Sequence, residues 1–468
     1  MPISMRLITV LAALLGVGAL APAGAAAAGP DAQIIVRSAA RGRPAALRAA
    51  VHDAGARVIG LAPGQRLLVQ ARDEQAVTRT IAALRRHRTV AMAQPRLVAR
   101  VAEGEPDDTG LASRSASAAG GWVNAQWDLT GPFGIDAPDA WPLARAAGRT
   151  PGAGVIVAVL DTGLAYANRP PFRRSPDISR EHVVAGYDFV AGDPYPNDRH
   201  GHGTFVASTI IATANNRYGM VGIAYGARVM PVRVLDAGGS GQAGPIARGM
   251  KWAVDHGANV INVSIELVDQ VTAAPQSMTV DPLIREAVRY AAAHNVLVVA
   301  AAGNSASPDV PSTRLGSDIL YVGGSTEHGC LGEYSNFGKG VDLVAPGGGA
   351  DAQIAGDSHC SPDGARGRNV EQVSFKRPDI GHFEIIRDRN GRPGLSGTSM
   401  AAPHATAAVA LLLGAGVLGA HPTPAAIQER LRTTARDLGP GAKKRYYGAG
   451  LLDVAAALRG TRTPTSSG

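Results

Sequence analysis

The sequence predicts an α/β protein: a parallel sheet covered by helices on both faces, preceded by a small ferredoxin-like α+β unit. Three observations carry this reading. From Trp122 onward, short β-branched runs recur: GVIVAVLD, ARVMPVRVLD, ANVINVSI, NVLVVAAAGN, DILYVGGS and VDLVAPG. They are apolar throughout rather than alternating, as strands buried on both faces are, and helical stretches such as PIARGMKWAVDHG and PLIREAVRYAAAH separate several of them. Residues 33–100 follow a different, β-α-β-β-α-β rhythm. Finally, 45% hydrophobic residues, few aromatics and 58 glycines in 468 residues describe an Ala/Gly-rich globular chain, neither fibrous nor disordered.

The chain begins MPISMRLITVLAALLGVGALAPAGAAAAG, with one arginine, an apolar run from Leu7 to Leu20 and several Ala-x-Ala sites. This is the layout of a signal peptide, assigned to 1–28, and it predicts a secreted or periplasmic protein. About fourteen apolar residues are too few to cross a bilayer, and no later run is long and continuous enough, so no membrane span is expected. Cys330 and Cys360 are the only cysteines. In an exported chain they are expected to pair, two free thiols being the alternative.

Within 29–103, QIIVRSA reads as a strand, RPAALRAAVHDAG as a helix, ARVIGLAPGQRLLVQARD as two strands about a Pro-Gly turn, EQAVTRTIAALRRH as a second helix and TVAMAQPRLVARV as a last strand. Residues 104–121 are small, polar and Gly/Ser-rich and read as an exposed linker with a maturation site. The main domain spans 122–458, with an irregular insertion at 347–394 holding one hairpin, and 459–468 read as a flexible tail. The net charge of +8 hints at an anionic partner. Yet residues 31–100 hold thirteen Arg, no Lys and only four acids, which leaves the main body close to neutral. No nucleic-acid partner is expected.

Four positions carry chemistry. Asp161 ends the strand VIVAVLD, and Asn304 ends the strand VLVVAAAGN, so both are delivered at carboxyl ends of strands, where ligands sit in such sheets. Each alone could simply make a turn. His202 stands between glycines at the entrance to an apolar helix, with His200 as a rival. Ser399, in GLSGTSMAAPHATAAVALLL, lies at the mouth of a long apolar helix. Either it or Thr398 caps that helix, or Gly397, Ala401 and Ala402 leave room for a substrate to reach the hydroxyl. Together they supply a nucleophile, a base, an orienting acid and an oxyanion donor, the equipment for acyl transfer.

AVLDTG, HGHGTFVAS, AAAGN and GTSMAAPH, in this order and spacing, resemble the subtilisin-like serine proteases over about 122–458, and the upstream unit resembles that family's inhibitory propeptide. The resemblance implies an exported serine endopeptidase made as a self-processed zymogen, acting on protein or peptide substrates, inhibited by its own propeptide and working as a monomer. It implies that Asp161 orients His202, that His202, which directly precedes Gly-Thr, takes the proton of Ser399, and that Asn304 binds the oxyanion. Extended substrates would pair with Gly239, Ser240, Gly241 and the stretch from Ser264, with Ala301 to Gly303 bordering the primary pocket. Glu266 stands where the family usually carries glycine, and Ala243 where many members have an aromatic. A structural calcium ion, Ca2+, is implied at Ala214, Tyr218 and Met220 through backbone oxygens and at Asn216, Gln126 and Asp177 through side chains. A catalytically silent, peptide-binding relative is the alternative; the four intact positions argue against it.

Overall fold

The structure, a computed structural model, describes residues 33–39, 44–62, 66–72, 76–95, 106–114, 118–145, 148–266, 280–308, 316–361, 363–438 and 444–460. The signal peptide expected at 1–28 and nearly all of the expected tail lie outside the described residues. The chain divides into two compact units, 1–103 and 104–468.

The first unit contains β1 (Gln33–Ser38), α1 (Pro44–Asp53), β2 (Arg57–Ala62), β3 (Arg66–Gln70), α2 (Ala76–Arg85) and β4 (Val90–Pro95). Its antiparallel sheet has the order β2-β3-β1-β4, the ferredoxin-like topology. Alternate residues Ile34 and Val36 of β1 and Leu67 and Val69 of β3 face inward onto Leu47, Val51 and Leu84 of the helices. Period-two strands meeting amphipathic helices give this unit a core of its own.

The second unit is built on seven parallel strands: β5 (Ile156–Asp161), β6 (Tyr187–Asp188), β7 (Arg228–Arg233), β8 (Val260–Val263), β9 (Leu297–Ala301), β10 (Ile319–Ser325) and β11 (Leu343–Pro346). Their order is β11-β10-β9-β8-β5-β7-β6. The helices needed for the site are α3 (Ala137–Arg145), α4 (His202–Ile211), α5 (Ala243–Asp255), α6 (Pro282–Ala293), α7 (Thr398–Ala415), α8 (Pro424–Thr434) and α9 (Val454–Arg459). Val157, Val159, Leu297 and Val299 join one core with α4 and α7, while Ala158, Leu160, Val298 and Ala300 join the other with α5 and α6. Burial on both faces is why the strands carry no polar alternation. The chain runs from β5 to the edge strand β6, fills in β7 between them, then crosses to place β8 on the other side of β5. Ligands in open α/β sheets bind at such a reversal, outside the strands' carboxyl ends.

Helix α7 is long and apolar enough to cross a membrane, but 78% of it is buried inside this fold, so it is a core helix. Gly397 is its N-cap and supplies no side-chain cap, so neither Thr398 nor Ser399 stands at the capping position. Pro403 lies inside the helix and lacks the N–H that would bond the carbonyl of Ser399. Ser264 Oγ donates to that carbonyl instead, at 2.9 Å.

Two sequence expectations are changed by the packing. Residues 104–121 are not an exposed linker throughout: Pro106, Asp108, Thr109 and Gly110 are buried. Gly110 N–H donates to Gly219 O and Gly219 N–H to Leu111 O, both at 2.8 Å, while Trp122 Nε1 donates to Pro106 O at 2.8 Å. Small residues permit this close backbone pairing as readily as they permit flexibility. The insertion at 347–394 does hold the expected hairpin, β12 (Val373–Ser374) with β13 (Glu384–Ile385). It also does more than cover the surface, because Ser374 Oγ donates to Gly201 O at 2.6 Å. Gly201 has φ +100°, and a Cβ there would lie 1.9 Å from Phe375 O. Only glycine fits between the hairpin and the residue that precedes His202. The Cys330–Cys360 disulfide ties β10's exit to the same insertion.

Candidate active site

Asp161 ends β5 fully buried, and its position is fixed by a hydrogen bond from Thr162 N–H to Oδ1 at 2.7 Å. His202, the first residue of α4, places Nδ1 at 2.8 Å and 2.9 Å from the two carboxylate oxygens. A carboxylate can only accept, so Nδ1 carries the proton and Nε2 is free as the basic nitrogen. Burial disfavours the imidazolium, but the charge and hydrogen bond of Asp161, aided by Asp198, outweigh it and hold His202 above its ordinary pKa.

The loop before His202 is organised by Asp198, which the sequence reading missed. Its Oδ1 accepts the N–H groups of His200 and Gly201 and the hydroxyl of Thr162, and its Oδ2 accepts the N–H and hydroxyl of Thr204. Thr162 Oγ1 in turn accepts Gly203 N–H at 2.9 Å. The local signal for Asp198 was an acid two to three residues ahead of the amides it binds, an Asx turn. Its bonds to Thr162 and Thr204 had no local signal. His200 shares the cleft, but among the described residues no carboxylate orients its ring, and its Nδ1 is buried without a partner there.

Ser399 Oγ donates to the carbonyl of Ser264 at 3.0 Å, so Ser264 and Ser399 are joined twice, once through each hydroxyl. Asn304, three residues beyond β9, accepts Thr398 N–H at 2.8 Å and the Thr398 hydroxyl at 3.0 Å, both through Oδ1. Because a backbone N–H can only donate, the amide oxygen is fixed there and Nδ2 is turned to the other side. Asn336, also missed in the sequence, braces this segment. Its Nδ2 donates to Ala302 O at 2.9 Å and its Oδ1 accepts the N–H groups of Ser305 and Ser307.

His202, Ser399 and Ser264 line an open cleft of about 790 Å³, together with Gly239, Ser240 and Gly241. Asp236 holds the last of these as a tight loop by accepting Gly238 and Ser240 N–H. Ala301 and Gly303 are buried at the end of β9. The six residues of the implied calcium site lie together around residues 213–221. Asp177, fully buried, accepts Asn216 Nδ2 at 2.9 Å and Met220 N–H at 3.0 Å. Gln126 clamps the main chain of Val221 through both amide atoms.

A parallel α/β sheet with a carboxylate–imidazole pair, a serine at a helix mouth and an oriented amide at one edge defines a serine hydrolase of the acyl-transfer kind. The subtilase family profile matches residues 152–450. Subtilisin Savinase of Lederbergia lenta is 33% identical over 330 residues, covering 70% of this chain and 98% of its own. An alkaline protease of Alkalihalobacillus alcalophilus is 33% identical over 70% of each chain. A solved structure of proteases from Pseudoalteromonas arctica is 26% identical, covers 76% of this chain and 99% of that one, and superposes with a TM-score of 0.56. The chain belongs to the subtilase family and is a subtilisin-like serine endopeptidase.

The raised pKa of His202 sets the direction of the pH dependence. With His202 as the proposed proton acceptor, the imidazole must be neutral to work, so kcat/KM should rise with pH through a midpoint above about 6.5, the ordinary histidine value. Asp161→Asn removes the charge that raises the pKa while burial still lowers it. Its midpoint should therefore fall below that of the wild type while the rate drops by about 10⁴, a loss taken from subtilisin and trypsin rather than worked out from this cleft. A pH–rate profile of both proteins checks the sign.

Proposed function

We propose that Asp161, His202 and Ser399 form the catalytic triad of this endopeptidase and that Asn304 Nδ2 and the N–H of Ser399 bind the oxyanion. The observation that carries this reading is the pairing of buried Asp161 with His202 on the wall of the cleft that also holds Ser399. The Ser399 hydroxyl turns from the Ser264 carbonyl to His202 Nε2, gives up its proton and attacks the peptide carbonyl. The negative charge then forms beside the Ser399 N–H, which lies in the first turn of α7 and has no partner within the helix. His202 returns the proton to the leaving amine, and water repeats the sequence to free the acid. Extended substrate pairs with the edges at 239–241 and from Ser264.

The same reading extends to maturation. Residues 1–28 direct export and the ferredoxin-like unit is the inhibitory propeptide, removed by the enzyme itself. Burial of 106–110 against the 213–221 loop favours a cut upstream of Pro106, leaving that strap on the mature body. A fluorophosphonate should label processed wild type. Ser399→Ala should go unlabelled and remain full length after signal removal, and Asn304→Ala should lose about 10²–10³ in kcat, the cost known for subtilisin's own donor. An unlabelled wild type, or Ser399→Ala maturing at the normal rate in pure form, contradicts the assignment.

Calcium fits the 213–221 loop in part. Burial, reinforced by nearby Asp108, drives the Asp177 carboxyl well above its usual range, a strain that a cation relieves. Asn216 Oδ1 is buried without a partner, and turning this amide would present its oxygen to the ion beside Asp177. Gln126 Oε1 already accepts Val221 N–H and has one lone pair left to offer. Backbone oxygens of Ala214, Tyr218 and Met220 would complete an oxygen-rich shell. Calcium at a hundredfold excess over its dissociation constant should stabilise the inhibitor-blocked enzyme by about 2.7 kcal/mol. Thermal unfolding with calcium or chelator reads this, and Asp177→Asn should abolish the difference.

A further inference from the structure

Glu266 carries a charge into the catalytic cleft. It lies two residues beyond Ser264, at the exit of β8, and lines the same cavity as Ser399 and His202. Its carboxylate rests against the exit of β9: Oε1 is 2.7 Å from where a Cβ on Gly303 would sit, and the Ser305 hydroxyl donates to it at a long 3.4 Å. No ion pair to Glu266 occurs among the described residues. Among the described residues, the other acid in the cleft lining, Asp281, is committed to capping α6 through Leu283 N–H at 2.7 Å, and no lysine or arginine lines the cavity.

The position relative to the reaction is what gives this charge its use. A carbonyl carbon bonded to Ser399 Oγ, with its oxygen at Asn304, sits across the gap between the exits of β8 and β9. The side chain on the acyl side of that carbonyl enters the gap whose floor is Gly303 and whose wall is Glu266. The floor is held in place, because Asn336 N–H donates to Gly303 O at 2.9 Å and the Asn336 amide ties residues 302, 305 and 307 together. A half-buried carboxylate with only a weak hydroxyl partner attracts an ammonium or guanidinium and repels an acid.

We propose that Glu266 is a specificity-determining residue that selects lysine or arginine as the residue whose carbonyl is attacked. This rests on the assignment of Ser399 as nucleophile and Asn304 as oxyanion donor. A lysine stem is apolar and packs along Ile265 while its charge reaches the carboxylate, so methionine, similar in length and uncharged, is the fitting reference.

The test uses processed enzyme and short peptide anilides, which carry amino acids only on the acyl side, differing solely in a terminal Lys, Met or Glu. The inference predicts kcat/KM for Lys at least tenfold above Met and for Glu at least tenfold below it. The Lys advantage should shrink as ionic strength rises from about 0.05 M to about 0.5 M. In Glu266→Gln the Lys/Met ratio should fall at least fivefold, and in Glu266→Lys the order of Lys and Glu should reverse. Hydrolysis of the Met peptide at the same rate as the Lys peptide, or a Lys/Met ratio that Glu266→Gln leaves unchanged, overturns this inference and leaves the endopeptidase standing. Failure of fluorophosphonate-reactive enzyme to hydrolyse any of the three overturns the proteolytic reading and this inference with it. If a variant does not mature, the wild-type ratios and their response to salt decide the matter alone.

Discussion

The start of α7 is a buried helix end whose polar groups have to be satisfied from outside the helix. An unmet buried donor or acceptor costs about 1–3 kcal/mol, and this end presents several. Gly397 N–H finds Gly347 O beyond β11, Thr398 N–H finds Asn304 beyond β9, and the Ser399 carbonyl, orphaned by Pro403, finds Ser264 beyond β8. Thr398 Oγ1 also accepts Gly303 N–H at 3.2 Å. Three strand exits are thus tied to one helix mouth. Ser399 and Asn304, the proposed nucleophile and oxyanion donor, are brought into register by the same bonds that make burial of the helix tolerable.

The proposed acid–base half of the site has a separate support. Asp161 and His202 sit on β5 and α4, and Asp198 gathers the turn ahead of His202 by accepting five hydrogen bonds, from the N–H groups of His200 and Gly201 and from Thr162 and Thr204. The hairpin of the insertion closes on Gly201 from below through Ser374. The two halves share the core in which α4 packs with α7, and at the cleft the Ser399 hydroxyl rests on the Ser264 carbonyl.

Much of this was legible in the sequence because the informative signals are local. Continuous β-branched runs mark doubly covered strands, and a polar residue at the end of such a run must lie at the sheet's carboxyl edge; Asp161 and Asn304 were read in that way. Asn336 and Ser374 were not readable, since their partners are 29 to 173 positions away and neither belongs to a strand–helix unit with its own pattern. The stretch 106–111 was misread for a physical reason. Glycine and small polar residues are what a flexible linker needs, and also what two backbones need to approach each other, as Gly110 and Gly219 do. Composition does not separate the two cases; only the partner does.

The most direct measurement of this account is a crystal structure of the processed enzyme with a peptide aldehyde bound. A covalent bond from Ser399 Oγ to the aldehyde carbon, with the resulting oxygen within hydrogen-bond distance of Asn304 Nδ2 and Ser399 N–H while Asn304 Oδ1 still accepts Thr398 N–H, is the predicted result. An adduct on another residue, or an Asn304 released from Thr398 and turned away from that oxygen, would contradict it.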